Sequence, residues 1–221
     1  MNHIDKWMEK FCRVVRGSFG ERVRLIGIQG SRGRDEAREN SDIDVVVILD
    51  ELRGGDLKLY RKAIASLPER EKVCGFVSGM GELEKWDRAD LFQFCLDTRT
   101  VYGSMDTLRE RITAEDAQRA ALAGACSIYH MCAHNYLHER DDAILASLYK
   151  SAIFTIQAKY YCQTGRYLKK HCELAQEFGG ADGAVLKKAV ALKADPRALS
   201  IEKDTEPLLF WAQRTIEEYG Q

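Results

Sequence analysis

The chain has 221 residues, 45% hydrophobic and 30% charged, which excludes a disordered polymer and allows one large core or two small ones. Lysine and arginine total 33 against 34 aspartates and glutamates, a formal net charge of -1, so no global attraction to nucleic acid is expected. No stretch approaches the ~20 apolar residues that span a bilayer, and residues 1–6 lack a basic-then-apolar leader, so a cytoplasmic protein with no membrane contact is expected.

Residues 4–16 carry Ile4, Trp7, Met8, Phe11, Val14 and Val15 at helical spacing. A β-rich run follows at residues 22–28. A second apolar run at 43–49 holds three consecutive valines, as expected of a strand buried on both faces. Residues 56–67 have helical periodicity. Two further strands are expected at residues 72–77 and around residues 91–101, with Asp90 opening the latter. After about Thr113 the β-branched runs vanish and alanine-rich helical patterns take over, at residues 114–139, 143–164, 169–178, 182–193 and 205–219. Gly165, Gly179-Gly180 and Pro196 supply stop signals. The prolines, Pro68, Pro196 and Pro207, are all expected in connections. The seven cysteines, Cys12, Cys74, Cys95, Cys126, Cys132, Cys162 and Cys172, lack Cys-x-x-Cys spacing, and reduced thiols are expected. The architecture expected is an α+β domain over residues 1–108 followed by an all-α helical bundle over residues 109–221.

The segment that carries chemistry runs from Gly27 to Val47. A strand ends at Gly30-Ser31 and the chain turns into a short helix. Gly30 lets the backbone approach a ligand, and Ser31 is expected to cap the helix while offering its hydroxyl to a phosphate. A loop then leads to the next strand, with Asp42 and Asp44 two residues apart. Residues two apart on a strand share a face, and two carboxylates so placed can ligate a pair of Mg²⁺ ions. A phosphate cradle and metal ligands on adjacent strands are what displacement at a nucleoside triphosphate requires. Either half alone is weak, since Gly-Ser is common in turns and aspartate often opens a strand. Arg32, Arg34 and Arg38 are partly explained by loop solvation, although Arg34 is a candidate triphosphate contact.

Gly30-Ser31, ten intervening residues, then Asp42-Ile43-Asp44-Val45 resembles the signature of the nucleotidyltransferase superfamily that includes DNA polymerase β. Residues 30–37 are also similar to minimal nucleotidyltransferases, in which glycine usually stands where this chain has Asp35. Residues 158–170, in which an aromatic helix ends in Thr164-Gly165 and Lys170 follows after a short loop, resemble the helical domain of streptomycin/spectinomycin adenylyltransferases. Val101-Tyr102-Gly103 fits the same family. The resemblance implies a polymerase β-like nucleotidyltransferase domain with a mixed sheet. It assigns triphosphate binding to Gly30 and Ser31, two Mg²⁺ ions to Asp42 and Asp44, and an ATP phosphate to Lys170. A lysine that opens a helix after a loop is more often simply solvated. The implied reaction is transfer of AMP from Mg-ATP to a hydroxyl of a small acceptor of the aminoglycoside kind, by a monomer or homodimer. A protein-modifying or antitoxin-like nucleotidyltransferase and a catalytically weak nucleotide-binding module are the alternatives.

Active members of that superfamily add a third acid on the neighbouring strand. Residues 72–77 contain none, and alignment on Trp86 puts Cys74 at that position. A thiol is a poor Mg²⁺ ligand. Asp90 is the nearest substitute as third ligand or general base, with Glu71, Asp87 and Asp97 behind it. Elsewhere, His130, His134 and His138 recur every four residues on one expected helix, where polar positions on a helix face are the simpler account than a metal site. Arg166 and His171 match the spacing of a helical ribonuclease motif, but in a loop and without the usual polar residue after the arginine.

Overall fold

The computed structural model describes residues 3–220, apart from the side chain of Pro196; Met1, Asn2 and Gln221 of the sequence lie outside them. The chain divides into two compact units, residues 1–111 and 112–221. The elements of the first are α1 (His3–Phe19), β1 (Val23–Ile28), α2 (Gly30–Gly33), β2 (Ile43–Leu49), α3 (Asp56–Ala63), β3 (Val73–Gly79), α4 (Met80–Leu83), α5 (Arg88–Asp97), β4 (Arg99–Gly103) and α6 (Asp106–Arg109).

The strands form one mixed sheet in the order β3-β2-β1-β4. β1 runs antiparallel to β2 and β4, whereas β2 and β3 are parallel. Alternation along β2 splits its side chains between two faces. Ile43, Val45, Val47 and Leu49 join a core with Ile4, Trp7, Met8, Phe11 and Val15 of α1, whose helical stripe is thereby buried. Asp44, Val46 and Ile48 take the other face. There Phe76 of β3, in register with Val46, meets the ring of Phe94 on α5 at 5.2 Å. Burying each large aliphatic side chain of this kind contributes about 1.5–3 kcal/mol, so both faces of β2 anchor the sheet.

The strand expected around residues 91–101 is corrected by the structure. Residues 91–97 belong to helix α5, and only Arg99–Gly103 form a strand. Asp90 therefore lies in the first turn of a helix. Asp87 caps that helix by accepting from the amide of Ala89, and Asp90 complements the positive helix start.

The second unit is all α, with α7 (Ala114–His134), a π-helical turn (Asn135–Glu139), α8 (Asp142–Thr164), α9 (His171–Glu177), α10 (Gly180–Ala194) and α11 (Ile201–Tyr219). Thr113 and Asp116 form a reciprocal capping box at the start of α7. α7 packs on α8 and α11, and α10 packs on α8, around Ile128, Leu145, Ile153, Ile156, Leu186, Leu208 and Trp211. Gly124 permits the close approach of α7 to α8, because a Cβ there would strike Oγ1 of Thr155. Pro207, expected in a connection, instead lies inside α11. That helix begins after Ser200, and its buried face of Thr205, Leu208, Trp211 and Ala212 carries the chain past the missing amide.

Candidate functional site

The site is built where β1 ends. The amide of Gln29 donates to the carbonyl of Asp44 at 2.8 Å, the last rung before the strands part. The chain then turns through α2, with the amides of Gly33 and Arg34 donating to the carbonyls of Gln29 and Gly30. Gly30 has φ +65, a left-handed conformation that costs a side chain energy. A Cβ at Gly30 would also run into Oδ2 of Asp44. Glycine is thus required twice over, and the backbone of the turn lies directly against the Asp44 carboxylate. The helix cap is Gln29 rather than Ser31, which falls within the first turn because the helix starts two residues earlier than expected. Its backbone carbonyl accepts from Glu36 at 2.8 Å, while its side chain is half-buried beside Gly30.

The turn is braced from below. Gln29 Nε2 donates to Thr98 Oγ1 at 2.7 Å and to the Phe94 carbonyl at 3.2 Å. Arg34 is buried, and its Nη1 donates to both oxygens of Asp97 at 3.1 and 3.3 Å. This arrangement fixes the C-terminal end of α5 to the loop and commits the Arg34 guanidinium to a structural partner. Asp35 has φ +60, so it adopts the left-handed turn that glycine favours, and the departure at this position leaves the turn intact.

Asp44 is half-buried as the second residue of β2, and exposed Asp42 immediately precedes the strand. Cys74 is exposed on β3 in register with Asp44. Gly75 beside it has φ +134, and a Cβ there would collide with the Val45 carbonyl, so β3 is drawn tightly onto β2 at this level. Asp44 is the one carboxylate within any of the four strands. Among the described residues no group of three or more histidine, cysteine or acidic side chains could hold a metal. Two carboxylates are nevertheless hard oxygen donors of the kind that suit Mg²⁺, which keeps several waters and takes the rest of its ligands from substrate phosphates. Asp42 and Asp44 fit such an ion; Cys74 does not.

The other expected residues lie apart from this cluster in sequence. Asp90 is exposed in α5. Lys170 caps α9 through its backbone position, and its Nζ lies 3.2 Å from Oε1 of Glu173. The loop before it is pinned by fully buried Gln157, whose Nε2 donates to the carbonyls of Leu168 and Lys169 at 2.6 and 3.4 Å. The rings of His130, His134 and His138 follow one another at 6.3 and 5.0 Å, with His134 Nε2 at 3.4 Å from Glu139. All seven cysteines are reduced thiols. No helix is long and apolar enough to cross a membrane among the described residues.

Residues 8–112 match the family model of the nucleotidyltransferase domain. This segment is a nucleotidyltransferase domain. The turn at Gly30 and the carboxylates Asp42 and Asp44 fall inside it, and the chain therefore carries the domain of an enzyme family. Its fold is shared along the whole chain with a spectinomycin adenyltransferase, AAD(9), from Enterococcus faecialis, solved with ATP and spectinomycin. The two are 13% identical with a TM-score of 0.59, over 98% of this chain and 99% of that one. A toxin–antitoxin structure with AMP-PNP is 20% identical over 46% of this chain and 77% of that one, with a TM-score of 0.35. No curated protein matches by sequence.

Two contacts of the nucleotidyltransferase domain had no local sequence signal. Arg34 pairs with Asp97 across 63 positions, and Arg32 reaches forward to the carbonyls of Ser41 and Asp42. A covarying partner could have announced the Arg34–Asp97 pair, whereas the acceptors of Arg32 are backbone carbonyls, which no side-chain identity marks.

Proposed function

We propose that the chain transfers AMP from Mg-ATP to a hydroxyl of a small acceptor of the aminoglycoside kind. The observation that carries this reading is the contact of the Gly30 turn with the Asp44 carboxylate, which brings a phosphate cradle and a hard anionic ligand within one side chain of each other. In this reading the amides and hydroxyl of Gly30-Ser31 hold the triphosphate, and Asp42 and Asp44 hold the divalent cation. The cation supplies charge neutralisation on the phosphates. The acceptor oxygen attacks the α-phosphorus, the bond from that phosphorus to the bridging oxygen breaks, and pyrophosphate leaves. The acceptor proton passes to a general base, for which Asp90 is the proposed residue. Lys170 is proposed as a cation for a phosphate. The acceptor class rests on the adenyltransferase that shares the fold.

A second reading, nucleotide binding with little turnover, is favoured by one observation: the strand position beside Asp44 carries a thiol. One assay separates the two. Pyrophosphate release is measured from each nucleoside triphosphate with Mg²⁺, against a panel containing spectinomycin, streptomycin and simple polyols. Release that depends on one acceptor supports transfer; a Mg-ATP-dependent rise in melting temperature with no release supports binding alone. Neither response to any nucleotide would refute both readings.

A further inference from the structure

The strand ladder does not hold Asp42. Its pairing begins at Ile43, so the backbone that carries the first carboxylate stands outside the sheet. What holds it is Arg32. Nε of Arg32 donates to the carbonyls of Ser41 at 3.1 Å and Asp42 at 3.2 Å, and Nη2 donates to Ser41 at 2.9 Å. The side chain is only 10% exposed. A guanidinium is suited to this because its donors lie in a rigid plane and can bridge two neighbouring oxygens at once.

The arginine is itself braced. Glu69 Oε2 lies 3.8 Å from Arg32 Nη2 and accepts from Lys72 Nζ at 3.0 Å. Lys72 Nζ also donates to the Glu39 carbonyl at 3.1 Å. Glu69 keeps its place despite φ +54, a strained conformation for this residue. The loop from α2 to β2 is therefore tied at Glu39 and at Ser41-Asp42, and both ties converge on one carboxylate.

We infer that Arg32 is a positioning residue that sets the Asp42 carboxylate for the cation, with Glu69 orienting Arg32. The inference rests on the reading that Asp42 and Asp44 bind a divalent ion. Residues that orient a metal ligand commonly contribute 10–100-fold to affinity, as an order of magnitude.

The test is Mn²⁺ titration of the full chain, read by the electron paramagnetic resonance of the free ion, on the parent and on Arg32→Met, Arg32→Lys, Glu69→Gln and Asp44→Asn. Arg32→Met should weaken Mn²⁺ binding about 10-fold or more at an unchanged circular dichroism spectrum. Arg32→Lys should recover part of the loss, since one ammonium can reach one of the two carbonyls. Glu69→Gln should lose less, in the same direction. Loss of binding in Asp44→Asn with Arg32→Met binding like the parent would overturn the role of Arg32 and leave the metal reading standing. Parent-like binding in Asp44→Asn, or none in the parent, would overturn the metal reading and this inference with it. Should Arg32→Met fail to fold, Arg32→Lys decides, and parent-like affinity there overturns the inference.

Discussion

Cys74 stands in register with Asp44 across the parallel pair β2–β3, both near the strand starts and both on the face that carries α5. The thiol is exposed, and left-handed Gly75 next to it keeps β3 pressed to β2. A carboxylate at position 74 would lie beside Asp44 and complete a hard, all-oxygen set. A thiol there gives a hard cation little. On the proposed reading, metal binding thus falls to Asp42 and Asp44 among strand and strand-entry residues.

That concentration makes the Gly30–Asp44 contact sensitive. Gly30→Ala places a methyl group where Oδ2 of Asp44 now lies and imposes a left-handed alanine. The backbone term costs about 1–2 kcal/mol, and the carboxylate must rotate away from the turn. We expect a folded variant with a lower melting temperature and no further rise on adding Mg-ATP. A full Mg-ATP shift in Gly30→Ala would show that Asp44 does not need its present orientation.

Asp44→Asn separates charge from shape, because it removes the negative charge at nearly constant volume. The apo protein should stay folded, while the part of the ATP-induced shift that EDTA abolishes should disappear. For a ligand at 100 times its Kd the parent shift corresponds to about 2.7 kcal/mol, so the loss is measurable. Asp42→Asn should behave alike. Parent-like Mg-ATP shifts in both would make the two aspartates strand-entry caps.

The features that sequence reading captured are local. Gly30 and Asp44 were legible because a turn and a strand entry are set by residues close in the chain. The three-valine run marked β2 because only a strand buried on both faces tolerates it. Helix α5 was misread because Leu91-Phe92-Gln93-Phe94 has strand-like composition, although Asp87 and Asp90 were signals of a helix start. There tertiary burial of Leu91, Phe92 and Cys95 overrode propensity. Arg32 and Arg34 were illegible as clamps because their partners are carbonyls and a carboxylate far along the chain.

Asp35 offers a test of that loop. It holds φ +60 with no Cβ advantage, so Asp35→Gly should be neutral or stabilising by about 0.5–1 kcal/mol, and Asp35→Val destabilising. Urea unfolding midpoints decide it. A marked loss in Asp35→Gly would mean that its side chain, not the turn conformation, is what the loop needs.

Acid stability should depend on Asp56. Hydrogen bonds from Arg22 at 2.7 and 3.0 Å, reinforced by the amide of Arg53, hold its carboxyl down at about 2. Unfolded aspartate titrates near pH 3.9, roughly. Since the folded value is the lower one, the contribution is complete above about pH 5 and is lost progressively as pH falls toward 2. Asp56→Asn should therefore lower the urea midpoint at pH 7 and flatten its decline between pH 5 and roughly pH 2. An unchanged acid limb would assign acid unfolding to other carboxylates.

The last prediction concerns the missing acid. Asp90→Asn and Cys74→Glu probe the two ways in which the domain could be completed. If exposed Asp90 serves as general base, Asp90→Asn should lower turnover by about 10²–10⁴-fold with nucleotide binding intact. If it serves only the start of α5, the same change should cost a fraction of a kcal/mol in stability, about 0.3–1, and leave turnover alone. Cys74→Ala should change turnover little in either case, because an exposed thiol contributes neither charge nor core packing. Cys74→Glu is the complementary gain. With its backbone already beside Asp44, a glutamate can reach the cation site, and Mn²⁺ affinity and pyrophosphate release should both rise. A folded Cys74→Glu variant with parent Mn²⁺ affinity would show that β3 aims this side chain away from Asp44. In that outcome the register of the two strands would not define the third ligand position, and the search for it would move to α5.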